Sequence, residues 1–249
     1  MVKEILKQMM TVKEHYDNHL GNFYSWMCGN FDEKQREYQQ FFTNNNIVPL
    51  SSKIAIDLGA GHGIQSASLA KLGFEVQAVD FNEQLLGELK NNTQNLSVRP
   101  INEDIRLIKK YLDLNTELIL CFGDTIAHLD SKEEVGQFIK NIYETLIPVG
   151  KFILSFRDYG TELLDDSRFI PVKSDSDKIL ICFLEYFPEK LKVTDILYKK
   201  VDENWTQTIS SYFKVRVTKN YITSCLENIG FKITFIDTIN RMITIIADK

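Results

Sequence analysis

The sequence predicts an α/β fold built on a mostly parallel sheet, and three observations carry that expectation. A short β-rich run, Ile54-Ala55-Ile56, leads through Asp57-Leu58-Gly59-Ala60-Gly61-His62-Gly63 into a helical stretch from Ile64 to Leu72. A second strand-like run, Glu75 to Val79, ends in Asp80, 21 residues after Gly59. Strand-like and helical runs then alternate as far as Phe156, the pattern of parallel strands joined by crossover helices.

Each element has a local reason. Residues 1 to about 50 read as helical and aromatic, with Asn44-Asn45-Asn46 marking a break before the first strand. A third strand covers Ser97 to Ile101 and a helix follows from Ile105 to Leu112, with Asp104 in front of it as an N-cap candidate. The fourth strand is Glu117 to Phe122. Ser131 and Glu134 form a capping box, Val135, Phe138, Ile139, Ile142 and Leu146 recur at helical spacing, and Pro148-Val149-Gly150 closes that helix. Lys151 to Phe156 is the fifth strand.

Between Arg157 and Val217 the helical period disappears. Ile179 to Phe187 and Leu191 to Lys199 are joined by Pro188-Glu189-Lys190 as a hairpin, and Thr206 to Val217 is a third run, so about three antiparallel strands are expected. A polar loop from Asp165 to Asp177 leads into them. The chain closes with a helix from Thr218 to Asn228, stopped by Gly230, and two strands, Phe231 to Asp237 and Arg241 to Ala247.

The 249 residues are 44% apolar and 25% charged, with a net charge of −5. This is a soluble globular composition, and the missing basic runs argue against nucleic-acid or anionic-membrane binding. Cys28, Cys121, Cys182 and Cys225 stand alone, as reduced thiols in a cytoplasmic protein without a zinc site. No stretch reads as a signal peptide or a membrane span. His15 and His19 have an i, i+4 spacing that metal sites use, but with no acid or thiol cluster beside them they read as surface residues.

The glycine turn allows close backbone approach to a ligand and aims free N–H groups of a helix start at it. A dinucleotide fingerprint needs a small residue six positions into the motif, where Ile64 stands, which disfavours NAD. The pattern is instead acid-x-G-x-G-x-G, with Asp57 as the acid. In this it resembles the first motif of class I S-adenosylmethionine-dependent methyltransferases. Asp80 lies where a carboxylate accepts from two ribose hydroxyls, or caps the helix near Asn82. The resemblance implies that Asp104 accepts from the adenine amino group, with Ile105 on the ring, unless Asp104 serves only as a cap. The segment Cys121-Phe122-Gly123-Asp124-Thr125-Ile126-Ala127-His128-Leu129 is similar to the post-strand motif of small-molecule N-methyltransferases. Arg157, in Ser155-Phe156-Arg157-Asp158-Tyr159, resembles an arginine that holds the substrate carboxylate in glycine N-methyltransferase-like enzymes. Here Asp158 replaces an asparagine, and a salt bridge from Arg157 to Asp158, Asp165 or Asp166 is the competing reading.

The resemblance therefore implies a Rossmann-like, mostly parallel seven-stranded sheet whose last strand is antiparallel. It divides the chain into an N-terminal helical cap (1–50), an S-adenosylmethionine-binding core (51–158 and 218–249) and an antiparallel β insertion over the substrate site (159–217). The cofactor S-adenosylmethionine would be held by Tyr24, Gly59, Ala60, Gly61, Asp80, Phe81, Asp104, Ile105, Cys121 and Phe122. The small-molecule acceptor would meet Tyr24, Trp26, His128 and Arg157. No metal and no catalytic triad are expected, because the methyl group arrives already activated. His128 is the candidate base if oxygen is methylated, or it steadies its own loop. The expected activity is methylation of a small molecule at an amine nitrogen. O- or C-methylation and a non-catalytic cofactor sensor are the alternatives, and the sequence leaves a homo-oligomer open.

Overall fold

The computed structural model describes residues 10–249. The expected helical character of residues 1–9 lies outside these. Among the described residues, four helical segments come first: α1 (Val12–Asn18), a 3-10 turn (Leu20–Phe23), α2 (Tyr24–Cys28) and α3 (Phe31–Asn44). Thr11 caps α1 through a reciprocal bond with Glu14, and α3 runs out at Asn44 as Asn46 turns to positive φ.

The core follows as β1 (Ile54–Leu58), α4 (Ile64–Lys71), β2 (Glu75–Asp80), α5 (Glu83–Asn92), β3 (Val98–Asn102), β4 (Thr116–Cys121), α6 (Lys132–Thr145) and β5 (Leu146–Phe156). After β6 (Phe169–Ser174), β7 (Lys178–Tyr186), β8 (Lys190–Val201) and β9 (Asn204–Val215) come α7 (Lys219–Ile229), β10 (Lys232–Ile239) and β11 (Met242–Asp248). One sheet has seven strands in the order β10-β11-β5-β4-β1-β2-β3. β11 is antiparallel to both its neighbours, whereas β1, β2, β3, β4 and β5 pair in parallel. The last strand is thus slotted in antiparallel, as expected. Among the described residues no helix is long and apolar enough to cross a membrane.

Strand alternation sorts the core onto two faces. Ile56, Leu58, Ile119, Cys121 and Phe152 face α6 and α7 through Val135, Phe138, Ile142 and Leu226. Ala55, Leu118, Leu120 and Ile153 face α3 and α4 through Phe42 and Leu69. Glu117, buried at the start of β4, accepts from the backbone N–H groups of Leu50, Ser51 and Lys53 and so fixes the entry into β1.

Four details differ from the sequence reading. The segment from Leu146 is extended rather than the end of α6, because Pro148 disfavours helix in the residue before it. The run after Asp104 is a 3-10 helix, Ile105–Leu114, broken at Leu107. Glu134 receives its cap from Ser131 but returns its own bond to the Asp130 N–H. The second sheet has four strands, not three, because β6 forms inside the expected polar loop. As an edge strand β6 tolerates Pro171, where the ladder shifts register.

Candidate active site

The glycine turn is strapped to β2 by bonds from the Gly59 and Ala60 N–H groups to the Val79 carbonyl, 2.8 and 3.0 Å. Gly59 has φ +76°, and a Cβ there would lie 2.5 Å from Thr125 Oγ1. No side chain fits that position. Asp57 is buried: it accepts from Ser66 Oγ at 2.6 Å, and burial raises its carboxyl to about 6 against that bond.

Asp80 is buried at the end of β2. One oxygen accepts from the Gly61 N–H and the other from the Asn82 N–H, each at 2.8 Å. The cap of α5 is the Asn82 side chain, which accepts from the Leu85 N–H, so Asp80 is not the helix cap. A carboxylate has about four acceptor positions, which leaves two for a ligand diol. Asp104, by contrast, accepts from the Arg106 N–H and pairs with its guanidinium at 2.9 Å, and Arg106 also bonds Glu134.

These residues surround a cavity of about 630 Å³ lined by Tyr16, Tyr24, Gly59, Gly61, Asp80, Phe81, Asp104, Ile105, Thr125 and His128. A second cavity of about 420 Å³ is lined by Ala60, His62, Phe122, Asp124, Arg157, Tyr159, Asp195, Tyr212 and Arg241, among others. Tyr16, Tyr24, Gly59, Gly123 and Lys214 border both, so the two cavities meet at a shared wall. Burial holds the Tyr16, Tyr159 and Tyr212 hydroxyls well above the ordinary tyrosine range; for Tyr24 the Cys28 sulfur is the larger cause and burial the second.

Asp124 stands in the wall of the second cavity at φ +71° and joins three segments. It accepts from the Arg157 N–H at 3.0 Å, from the Tyr159 hydroxyl at 2.5 Å and from Lys214 Nζ on β9 at 2.6 Å. Burial alone would raise its carboxyl, but Lys214, Tyr159 and the Arg157 N–H outweigh burial and hold it below the usual range. His128 sits between the rings of Tyr16 and Tyr212, and its buried Nε2 has no partner among the described residues. Burial, then the charge of Lys214, push this imidazole down to about 3, so the ring is neutral at neutral pH.

Two expected site residues are placed elsewhere. The Cys121 side chain faces α6 within the core and borders neither cavity. Trp26 also borders neither; its indole N–H bonds Asp175 at 2.5 Å, and Lys173 and Lys178 lie over its ring. The surface reading of His15 and His19 is overturned, for both are buried. His15 Nε2 donates to Asp195 at 3.1 Å, its Nδ1 meets Ser210 Oγ at 2.7 Å, and its ring stacks on Tyr212. It ties α1 to the second sheet across 180 and 195 residues, a separation no local pattern signals. Among the described residues there is no cluster of metal ligands. Arg157 pairs with none of the carboxylates proposed for it: Asp158 instead accepts from the backbone N–H groups of Gly160 and Lys219.

A family model described as a methyltransferase domain matches residues 55–150, the stretch that carries the glycine turn, Asp80 and the Asp124 segment. Glycine/sarcosine N-methyltransferase of Aphanothece halophytica is 25% identical over 183 residues, covering 73% of this chain and 67% of that protein. A ubiquinone biosynthesis O-methyltransferase of Coxiella burnetii is 30% identical over 110 residues; the match covers 43% of this chain and less than half, 45%, of that protein. In fold, the chain is similar to the S-adenosylmethionine-bound structure of CalS10, an amino pentose methyltransferase from Micromonospora echinaspora. The TM-score is 0.70 at 13% identity, over 89% of this chain and 93% of that one. Domain and fold together define a class I S-adenosylmethionine-dependent methyltransferase. The chain is an enzyme of that class, with S-adenosylmethionine as its cofactor.

Proposed function

We propose that the enzyme methylates the amine nitrogen of a small, carboxylate-bearing molecule. The first cavity is read as the cofactor site, with the Gly59–Gly61 backbone, Asp80 and Phe81 holding the nucleoside end and Tyr16 and Tyr24 closing it toward the second cavity. That cradle suits the cofactor because Asp80 keeps free acceptor positions and the glycines leave no side chain in the way. Bound there, S-adenosylmethionine supplies a methyl group already activated by its sulfonium.

The observation that carries the acceptor reading is Arg157. It directly follows β5 at the sheet edge that delivers residues to the ligand crevice, and it lines the second cavity. Among the described residues no carboxylate lies within 4.0 Å of its guanidinium. Its planar fork suits a carboxylate. Nitrogen is favoured over oxygen because, among the described residues, the side chains of these walls are poorly placed to take a hydroxyl proton: His62, which lines the second cavity, is held below the ordinary imidazole range by burial. His128 is held neutral and very weakly basic, Asp124 is engaged by three donors, and Asp195 is engaged by His15. A free amine needs no base in the methyl-transfer step. Its lone pair forms the N–C bond as the C–S bond breaks, the electron pair stays on sulfur, and the amine proton leaves to water afterwards. Aligning the nucleophile between these walls supplies much of the acceleration.

The test is methyl transfer to a panel of amino acids, simple amines and phenols, with kinetics of wild type and Arg157→Gln. The reading expects products methylated at nitrogen and a rise in KM of about tenfold or more for carboxylate-bearing amines in the variant, since hydrogen bonds to charged groups contribute about 1.5–3 kcal/mol. Methylation confined to hydroxyl oxygen would overturn it.

A further inference from the structure

The turn between β10 and β11 holds a residue that the turn itself does not favour. Ile239 pairs with Met242, so Asn240 and Arg241 form a two-residue connection, with φ of 51° and 63°. Positive φ at both positions is the type I′ pattern, in which asparagine followed by glycine is preferred. Arginine at the second position carries a Cβ into the left-handed region, where an L-residue is strained. An unfavourable residue at an exposed turn invites the question of what its side chain does.

Arg241 lines the second cavity, as Arg157 does. β11 runs antiparallel beside β5 with Ile243 opposite Phe156, so the next residues, Met242 and Arg157, come level at the same sheet edge. The two arginines therefore stand on adjacent strand ends. The Arg157 backbone is fixed by Asp124, while the residue as a whole is exposed. Neither arginine has a carboxylate within 4.0 Å among the described residues. The other charges of this cavity are engaged: Lys34 with Glu37, Lys214 with Asp124, and Asp195 with His15. What remains on the wall is two arginines from neighbouring strand ends, each with a guanidinium fork suited to an oxyanion.

We propose that Arg241 and Arg157 form one anion-binding pair at the mouth of the second cavity, selecting an acceptor amine that carries two negative charges, as a phosphate or as two carboxylates. The pair rests on reading this cavity as the acceptor site. It extends that reading from a single carboxylate to a dianion.

The test is calorimetric titration of the protein saturated with S-adenosylhomocysteine, using two probe pairs: O-phosphoethanolamine against ethanolamine, and aspartate against glycine. At least one dianionic probe is expected to bind tenfold or more tighter than its partner, and the pair that shows this distinguishes phosphate from dicarboxylate. Arg241→Gly should reduce the difference to threefold or less without lowering the melting temperature, because glycine suits the turn. Equal binding within both pairs, or an unchanged preference in Arg241→Gly, overturns the proposal while leaving the methyltransferase reading intact. Failure of the wild type to bind S-adenosylhomocysteine overturns the underlying site reading instead.

Discussion

Replacing Asp80 with asparagine separates the two tasks this side chain performs. In the native fold both oxygens accept a backbone N–H, from Gly61 and from Asn82, at 2.8 Å. Asparagine keeps one acceptor, and its amide nitrogen then confronts the other N–H. One buried donor is left without a partner, a loss of about 1–3 kcal/mol. At this chain length that lowers the melting temperature by about 2–4 °C per kcal/mol. Binding suffers separately, because a charged acceptor for a ribose diol becomes a neutral one facing the wrong way. Losing one hydrogen bond to a charged group corresponds to about 1.5–3 kcal/mol, or about 10- to 100-fold in Kd. Calorimetry with S-adenosylmethionine, run where circular dichroism shows the variant folded, reads the second effect alone. A folded Asp80→Asn protein that binds within threefold of wild type would refute the diol assignment.

Three further outcomes follow from the same wall. Gly59→Ala should lower stability by about 2–5 kcal/mol, the sum of overpacking and left-handed strain, since Thr125 is itself held by the Phe122 carbonyl; chemical denaturation measures it, and an unchanged midpoint would contradict the observed contact. Lys214→Met should be destabilising by about 3–5 kcal/mol because it leaves the Asp124 carboxylate buried without its cation, and adding Asp124→Asn should recover much of the loss; simple additivity of the two would contradict the coupling. His128 concerns pH. Its imidazole titrates near 3 when folded and near about 6.5 when unfolded, so the unfolded chain binds the extra proton between those values. His128 therefore lowers stability as pH falls from about 6.5 toward 3, with a slope of up to about 1.4 kcal/mol per unit. Asp57, raised to about 6, opposes this below pH 6, so the comparison must be between wild type and His128→Gln: the variant should lose less stability on acidification, and parallel curves would contradict the assigned burial.

What the sequence reveals is what local chemistry dictates. The glycine turn, Asp80 at the end of β2 and the caps at Thr218 and Gly230 are set within a few residues of one another, and each is visible as a pattern. The post-β4 segment is also visible, whereas the role of Asp124 within it is not, because its partner Lys214 lies 90 residues away. His15 reads as a surface histidine for the same reason: the sequence shows its helical spacing but not Asp195 and Ser210. Trp26 reads as a pocket aromatic, whereas the partner that places it, Asp175, is 149 residues distant. β6 was hidden because Pro171 and polar neighbours resemble a loop, and only the edge position, set by pairing with β7, makes a strand of them.

The proposed reaction is methyl transfer to a nitrogen in the cavity behind Tyr24. The measurement that meets it most directly is transfer of an isotopically labelled methyl from S-adenosylmethionine to carboxylate-bearing amines, with the product identified by mass spectrometry and S-adenosylhomocysteine counted alongside. Label is expected on nitrogen in step with one S-adenosylhomocysteine per product, reduced in Arg157→Gln through KM. Tight binding of S-adenosylmethionine with no label passing to any amine would contradict it.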